Sequence, residues 1–228
     1  HSAAAVHRHM AAAQKTVKRG NVMACIIFGA GSYYGMERRP EPGDYIIAAD
    51  GGWQYCKQEG IVPDLLLGDF DSLGEVPDFG HILRLPVEKD DTDMVRAVKE
   101  GLTRGEKEFH LLGGMGGQRS DHTVANMQTL AYLAAHGAKG WLYGDGERYT
   151  AICGPDALTL AARDSGILSV FCLGADAAGV TIQGAQYELE NAALTAFFPL
   201  GVSNHFVGKA VRVSVDSGCL LIGIHDKE

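Results

Sequence analysis

Six aspartates and a run of glycines stand where a cation and a phosphate would be held together. Two of them, Asp69 and Asp71, alternate in "LLLGDFDSL" (65–73), at the end of an apolar run that reads as a buried strand. Side-chain direction on an extended backbone repeats every two residues, so both carboxylates project to one side. Like charges placed so close call for something positive between them. Carboxylates that share a site with phosphate oxygens suit Mg²⁺, a hard ion that keeps waters and takes one or two protein carboxylates.

Three further clusters carry the same chemistry. In "AADGG" (48–52), Asp50 ends a second apolar run and Gly51 lets the backbone approach a ligand. In "EKDDTD" (88–93), Asp90 and Asp93 are three apart and share one face if they begin a helix. Taken alone, Asp90, Asp91 and Asp93 also fit plain caps and charges of a first helical turn. In "GGMGGQRSDH" (113–122), Gly114, Gly116 and Gly117 form a turn between a strand and a helix. Exposed amides at a helix N-terminus attract phosphate, and Arg119 adds a bidentate donor. The turn is neither a Walker loop nor G-x-G-x-x-G, because Arg119 takes the third glycine's place. Asp121 alone reads as a first-turn acid and His122 as an ordinary histidine. A separate explanation for each cluster leaves their convergence unexplained.

The elements that must position these residues follow from the apolar pattern. "VMACIIFGAG", "YIIAADGG", "DLLLGDFDS", "HILRLPV", "EFHLLGG" and "GWLYGDG" read as strands, the first running into a Gly-rich turn. "WQYCKQEG", Asp91 to Arg104 and "SDHTVANMQTLAYLAAHG" read as helices, the last closed by Gly137. Strands alternating with helices predict an open, mostly parallel α/β sheet, whose ligands bind beyond the strands' carboxyl ends. From about residue 147 the texture changes to short β-branched runs such as "RYTAIC", "ILSVFCL" and "VRVSVDSGCLLIGIH". These predict a C-terminal antiparallel β-sandwich. The expected division is residues 21–146 for the α/β unit, with its phosphate and metal site, and 147–228 for the sandwich. Residues 1–20, which begin "HSAAAVHRHM", are read as a tag or disordered segment outside the fold.

Composition excludes several functions. The 228 residues carry a net charge of −8 with no Lys/Arg run, which argues against nucleic acid. No apolar run approaches the roughly 20 residues of a membrane-crossing helix. The five cysteines are scattered and never spaced C-x-x-C, and three sit in apolar runs. That favours buried free thiols in a reducing, cytoplasmic setting over a disulfide or zinc framework.

As an ordered set, "ADGG", "GDFDSL", "KDDTD", "GGMGGQRSDH" and the "SN" of "PLGVSN" (199–204) resemble the thiamine pyrophosphokinase family, over roughly residues 22–224. The resemblance implies transfer of a diphosphate from ATP to the hydroxyethyl oxygen of thiamine, releasing AMP. It also implies a homodimer with active sites between subunits. Carried over residue by residue, Asp69, Asp71 and Asp93, with Asp90 nearby, hold Mg²⁺. Asp50, Gly51, the Gly114–Gly116–Gly117 turn and Arg119 face ATP. Asp121, Ser203 and Asn204 meet thiamine. Asp71 or Asp93 is the candidate base, with Arg119 stabilising charge on the phosphates.

The sequence departs from that pattern at Gln118, where the family has glycine, and at Trp53 and Gln54 after "ADGG". Some family members stack a tryptophan near the C-terminal strand on thiamine from the partner subunit; "CLLIGIH" has none. Other readings of an alternating aspartate pair are a haloacid dehalogenase-type phosphatase, a metal-dependent sugar transferase, and a non-catalytic thiamine or nucleotide sensor. The first uses its first strand, whereas this pair follows the third. The second does not predict "KDDTD". The third has little use for several metal-binding acids.

Overall fold

Five apolar runs of the N-terminal half become adjacent parallel strands because both faces of the sheet they form are covered by helices. The structure, a computed structural model, describes residues 23–70, 79–85 and 90–226. Its first strands are β1 (Cys25–Phe28), β2 (Tyr45–Ala49), β3 (Leu65–Gly68), β4 (Ile82–Arg84), β5 (Glu108–Leu112) and β6 (Lys139–Tyr143). They lie in the order β6-β5-β1-β2-β3-β4, each pair parallel. Helices α1 (Gly52–Glu59), α2 (Asp93–Arg104) and α3 (Ser120–Ala135) alternate with them. Cys25, Ile27, Leu67, Phe109 and Leu111 face one core, and Ile26, Phe28, Leu66 and Leu112 face the other.

Both long helices bury the spacing i, i+3, i+4, i+7. In α2 these are Met94, Ala97, Val98 and Gly101; in α3, Asn126, Thr129, Leu130 and Leu133. Gly101 has no side chain because a Cβ there would lie 2.5 Å from the Phe109 ring, so α2 rests directly on β5. Helix α2 starts from Thr92, whose backbone is extended (ψ 158°) and whose hydroxyl accepts the Val95 amide at 3.2 Å. The helical pairing expected for Asp90 and Asp93 therefore does not form: Asp93 opens the helix and Asp90 precedes the cap. Asp91 turns instead to Lys99, at 2.7 Å.

The remaining strands are β7 (Glu147–Cys153), β8 (Asp156–Leu160), β9 (Ile167–Cys172), β10 (Ala177–Gln183), β11 (Leu189–Leu194), β12 (Gly201–His205), β13 (Val211–Val215) and β14 (Cys219–His225). β7 pairs antiparallel with β6 and extends the sheet to ten strands through β14, β9 and β12. The order β11-β10-β13-β8 makes a second, antiparallel sheet. Inward residues of both sheets, among them Val170, Ile222, Val180 and Val213, share one core. This is the sandwich. β11 ("LENAAL") and β12 ("GVSNH") carry few inward apolar residues, so their pattern alone does not mark them as strands. The "SN" pair expected after a strand lies within β12.

The cysteine expectation fails at two positions. Cys153 and Cys219 stand directly opposite in the β7–β14 ladder, with Cα atoms 4.1 Å apart, and form a disulfide. Their 66-residue separation hides this in the sequence; antiparallel register creates it. Cys25, Cys56 and Cys172 are free, and burial pushes all three thiols up from the ordinary range. No helix among the described residues is long and apolar enough to cross a membrane.

Candidate active site

The chain leaves β1 toward β2, β3 and β4 on one side and returns with β5 on the other. Connections therefore part above the carboxyl ends of β1 and β5, the place where open α/β sheets hold ligands. A cavity of about 500 Å³ lies there. Its walls are the Gly29–Ser32 turn after β1, Asp50 after β2, Asp93 and Met94 of α2, and the glycine turn with Arg119 after β5. His122 and Asn126 of α3 complete it.

Close backbone contact builds this cradle. The amides of Gly29 and Gly31 donate to Leu112 and Gly113 at 2.8 and 2.7 Å, and Ser32 donates to Met115 at 3.0 Å. Gly113 adopts φ +62°, and a Cβ on it would run into the Gly29 carbonyl. Asn126, almost wholly buried, donates its side-chain amide to the Gly114 carbonyl at 2.6 Å. Among the described residues, the amides of Ala30, Gly117 and Gln118 have no hydrogen-bond partner. Such amides bind anions.

On the opposite wall, Asp50 has a left-handed backbone (φ 47°), and its amide donates to Leu67 at 2.7 Å. A Cβ on Gly68 would lie 3.1 Å from the Asp50 Cα, so the ends of β2 and β3 touch and bring Asp69 beside Asp50. Phe70 (φ 61°) is buried under this bend. Gly51 caps α1 without a side-chain bond. Asp50 and Asp93 line the cavity, Asp69 follows β3 outside its lining, and Asp90 is exposed before α2. Asp71 lies outside the described residues. The donors are all carboxylate oxygens, which suits a hard divalent ion. No cluster of three or more His, Cys, Asp or Glu able to hold a metal exists among the described residues. The residues present therefore fit an ion held by one or two carboxylates and completed by phosphate and water.

Arg119 is not isolated. Its Nε donates to Asp121 Oδ1 at 2.9 Å and its Nη2 to Oδ2 at 2.6 Å. The Arg119 guanidinium is the main cause that holds the Asp121 carboxyl down, to about 2. Ser203 and Asn204 stand apart from the cavity. β12 is six strands from β1, about 29 Å at ordinary strand spacing. Ser203 is exposed with φ 61°, whereas Asn204 is only 5% exposed. The Asn204 amide donates to the Tyr187 carbonyl at 2.6 Å, and its Oδ1 accepts the Tyr187 amide at 2.9 Å. Tyr187 itself is 62% exposed.

Sequence reasoning missed the Gly29–Ser32 wall, Asn126 and Tyr187. The first had a signal: "GAGS" follows a buried strand. Asn126 had a weaker one, a polar residue on the apolar face of α3. Tyr187 had none, because only the fold brings it against Asn204.

An α/β sheet with carboxylates, glycine turns and one arginine at its switch point, continued into an antiparallel sandwich, defines the class of α/β proteins that hold a ligand beyond their strand ends. Residues 40–142 match the model for the thiamin pyrophosphokinase catalytic domain, and residues 159–220 match that for its vitamin B1 binding domain. The chain belongs to the thiamin pyrophosphokinase family and is an enzyme of that type. The thiamine pyrophosphokinase of Bacillus subtilis superposes with a TM-score of 0.77 at 23% identity, covering 89% of this chain and 98% of that one. The Candida albicans enzyme gives 0.66 at 13%, covering 89% and 88%, and the yeast enzyme 0.65 at 14%, covering 91% and 87%. These likenesses establish the shared fold. No curated protein sequence matches the chain.

Proposed function

We propose that this enzyme transfers the diphosphate of ATP to the hydroxyethyl oxygen of thiamine, with Mg²⁺, giving thiamine diphosphate and AMP. The observation that carries the reading is the single cavity where Asp50, Asp93, the glycine turns and Arg119 meet, in a chain matching both family domains. Glycine amides and Arg119 bind and orient the phosphates for in-line attack at the β-phosphorus. Such transfer asks mainly for positioning and neutralised charge. Asp69, Asp93 and Asp71, with Asp90 nearby, would hold Mg²⁺, which offsets charge developing on the phosphate oxygens. Asp71 or Asp93 takes the proton of the attacking alcohol.

Asp121 and Ser203 meet thiamine, and Asn204 acts on it through Tyr187. An exposed aromatic with its backbone clamped at both N–H and C=O is a rigid face for a flat heterocycle. Tyr187 is thus our choice for the ring that meets thiamine. The 29 Å between β12 and the cradle far exceeds one thiamine, which supports a homodimer whose partner subunit brings Ser203 and Tyr187 to this cavity. Residues 21–146 then form the nucleotide unit and 147–228 the thiamine and dimer unit. We place the enzyme in the cytoplasm, where ATP is available.

Incubation with thiamine, ATP and MgCl₂ followed by nucleotide separation tests the proposal. AMP must appear in step with thiamine diphosphate. Formation of ADP, or turnover independent of thiamine, overturns it.

A further inference from the structure

The Gly29–Ser32 turn precedes the family match, which begins at residue 40, yet forms a full wall of the cavity. Three hydrogen bonds of its backbone go to β5 and the glycine turn that follows it. A fourth contact comes from elsewhere. The Tyr55 hydroxyl, on α1, donates to the Gly31 carbonyl at 2.6 Å. The same ring stacks on Tyr33 (centroids 4.8 Å apart, planes 20°), and the Tyr33 hydroxyl donates to Glu59 at 2.9 Å. Helix α1 therefore holds the turn directly through the Tyr55 hydroxyl and holds the next residue, Tyr33, through the stacked ring and Glu59.

Gly31 is held from both sides. Its amide reaches Gly113 at 2.7 Å while its carbonyl accepts Tyr55. A Cβ at Gly31 would sit 2.7 Å from the Gly113 oxygen and 3.1 Å from that of Met115. The neighbouring Tyr34 ring reaches over the second turn, its hydroxyl filling the space a Gly116 side chain would need. The peptide planes on both sides of Gly31 are thus held, which limits how the Gly29–Ser32 turn can move.

We propose that Tyr55 is a positioning residue for the nucleotide phosphates: its bond to Gly31 sets the Gly29–Ser32 turn as the second wall of the phosphate cradle. This rests on the diphosphotransfer reading above. A loose turn would lose ordered amide donors but leave the thiamine side untouched, so the effect is confined to the nucleotide.

Two hydroxyl deletions on the stacked pair separate this role from a structural one. Tyr55→Phe keeps the ring and removes only the bond to Gly31; Tyr33→Phe removes only the bond to Glu59. Titration with α,β-methylene-ATP, melting temperature, and KM for ATP and thiamine are measured for both. Tyr55→Phe is expected to weaken the analogue and raise KM for ATP about five-fold, the effect of one hydrogen bond, with KM for thiamine unchanged. Tyr33→Phe binds as the unmodified protein. Unchanged affinity in Tyr55→Phe, or equal losses in both variants that track melting temperature, overturns the assignment. If the unmodified protein fails to bind the analogue, the nucleotide reading itself falls, and this inference with it.

Discussion

Arg119 and Asp121 are joined edge to edge across the first turn of α3, through Nε–Oδ1 at 2.9 Å and Nη2–Oδ2 at 2.6 Å. Both side chains are largely exposed, at 69% and 62%. The pair occupies the Nε–Nη2 edge of the guanidinium and leaves Nη1 out of that contact. The residue assigned to ATP and the one assigned to thiamine therefore touch, and a change in either is felt by the other.

Arg119→Lys keeps the charge but loses the two-point geometry. It is expected to lower kcat/KM for ATP about 10²-fold, the order seen when one donor to developing charge is removed. Single-turnover formation of thiamine diphosphate measures it. A loss smaller than three-fold assigns the phosphates to other donors.

Asp121 carries a folded-state pKa depressed to about 2, below an ordinary carboxyl near 3.9. Whatever the pair contributes is present above the unfolded value and is lost only as pH falls through the folded one. The ion pair is thus intact across the working range. Asp121→Asn should raise KM for thiamine while leaving the acid limb of the kcat profile in place. A limb that moves with this substitution identifies Asp121 as the titrating group.

Asp93→Asn should fold, losing about 0.5 kcal/mol from the start of α2, while its requirement for MgCl₂ rises at least ten-fold. Chelation should abolish turnover in the unmodified enzyme. Thr92→Ala supplies the contrast. It removes the cap hydroxyl that accepts Val95 and costs about 1 kcal/mol without altering the Mg²⁺ dependence. Parallel melting and MgCl₂ titrations distinguish the two.

His110 is buried in β5, with Nδ1 2.7 Å from the Tyr143 hydroxyl and Nε2 3.1 Å from Glu108. Burial is the main cause that lowers its pKa, and the Arg38 charge adds to it, against Glu108 and Asp44. The unfolded chain therefore binds the proton more readily. Stability is full above about pH 6.5, the unfolded value, and falls as pH drops through the lower folded one. Melting temperature should decline below pH 6.5, and His110→Gln should flatten that decline. A slope unchanged by the substitution moves the effect to other groups.

The place of the cradle was legible because it is local. Asp50, Asp69 and the glycine turn each follow a buried strand directly, and a parallel sheet sends every such end to one side. Asp90 was misjudged within a single turn, because the Thr92 cap competes with a helix start at Asp90. The Cys153–Cys219 disulfide and the Asn204–Tyr187 clamp were illegible for another reason. Each joins positions that only antiparallel register or strand packing makes neighbours.

By itself, the amino-acid order determined the alternation of strands and helices, the polar clusters that end them and the change of texture near residue 147, all set by side-chain period and backbone preference over a few residues. The tertiary structure alone decided which strands are neighbours. It placed β1 beside β5, so that the turns Gly29–Ser32 and Gly113–Arg119 face each other. It also set β12 six strands away. Those choices depend on free energies summed over the whole core, and no short stretch of sequence contains them.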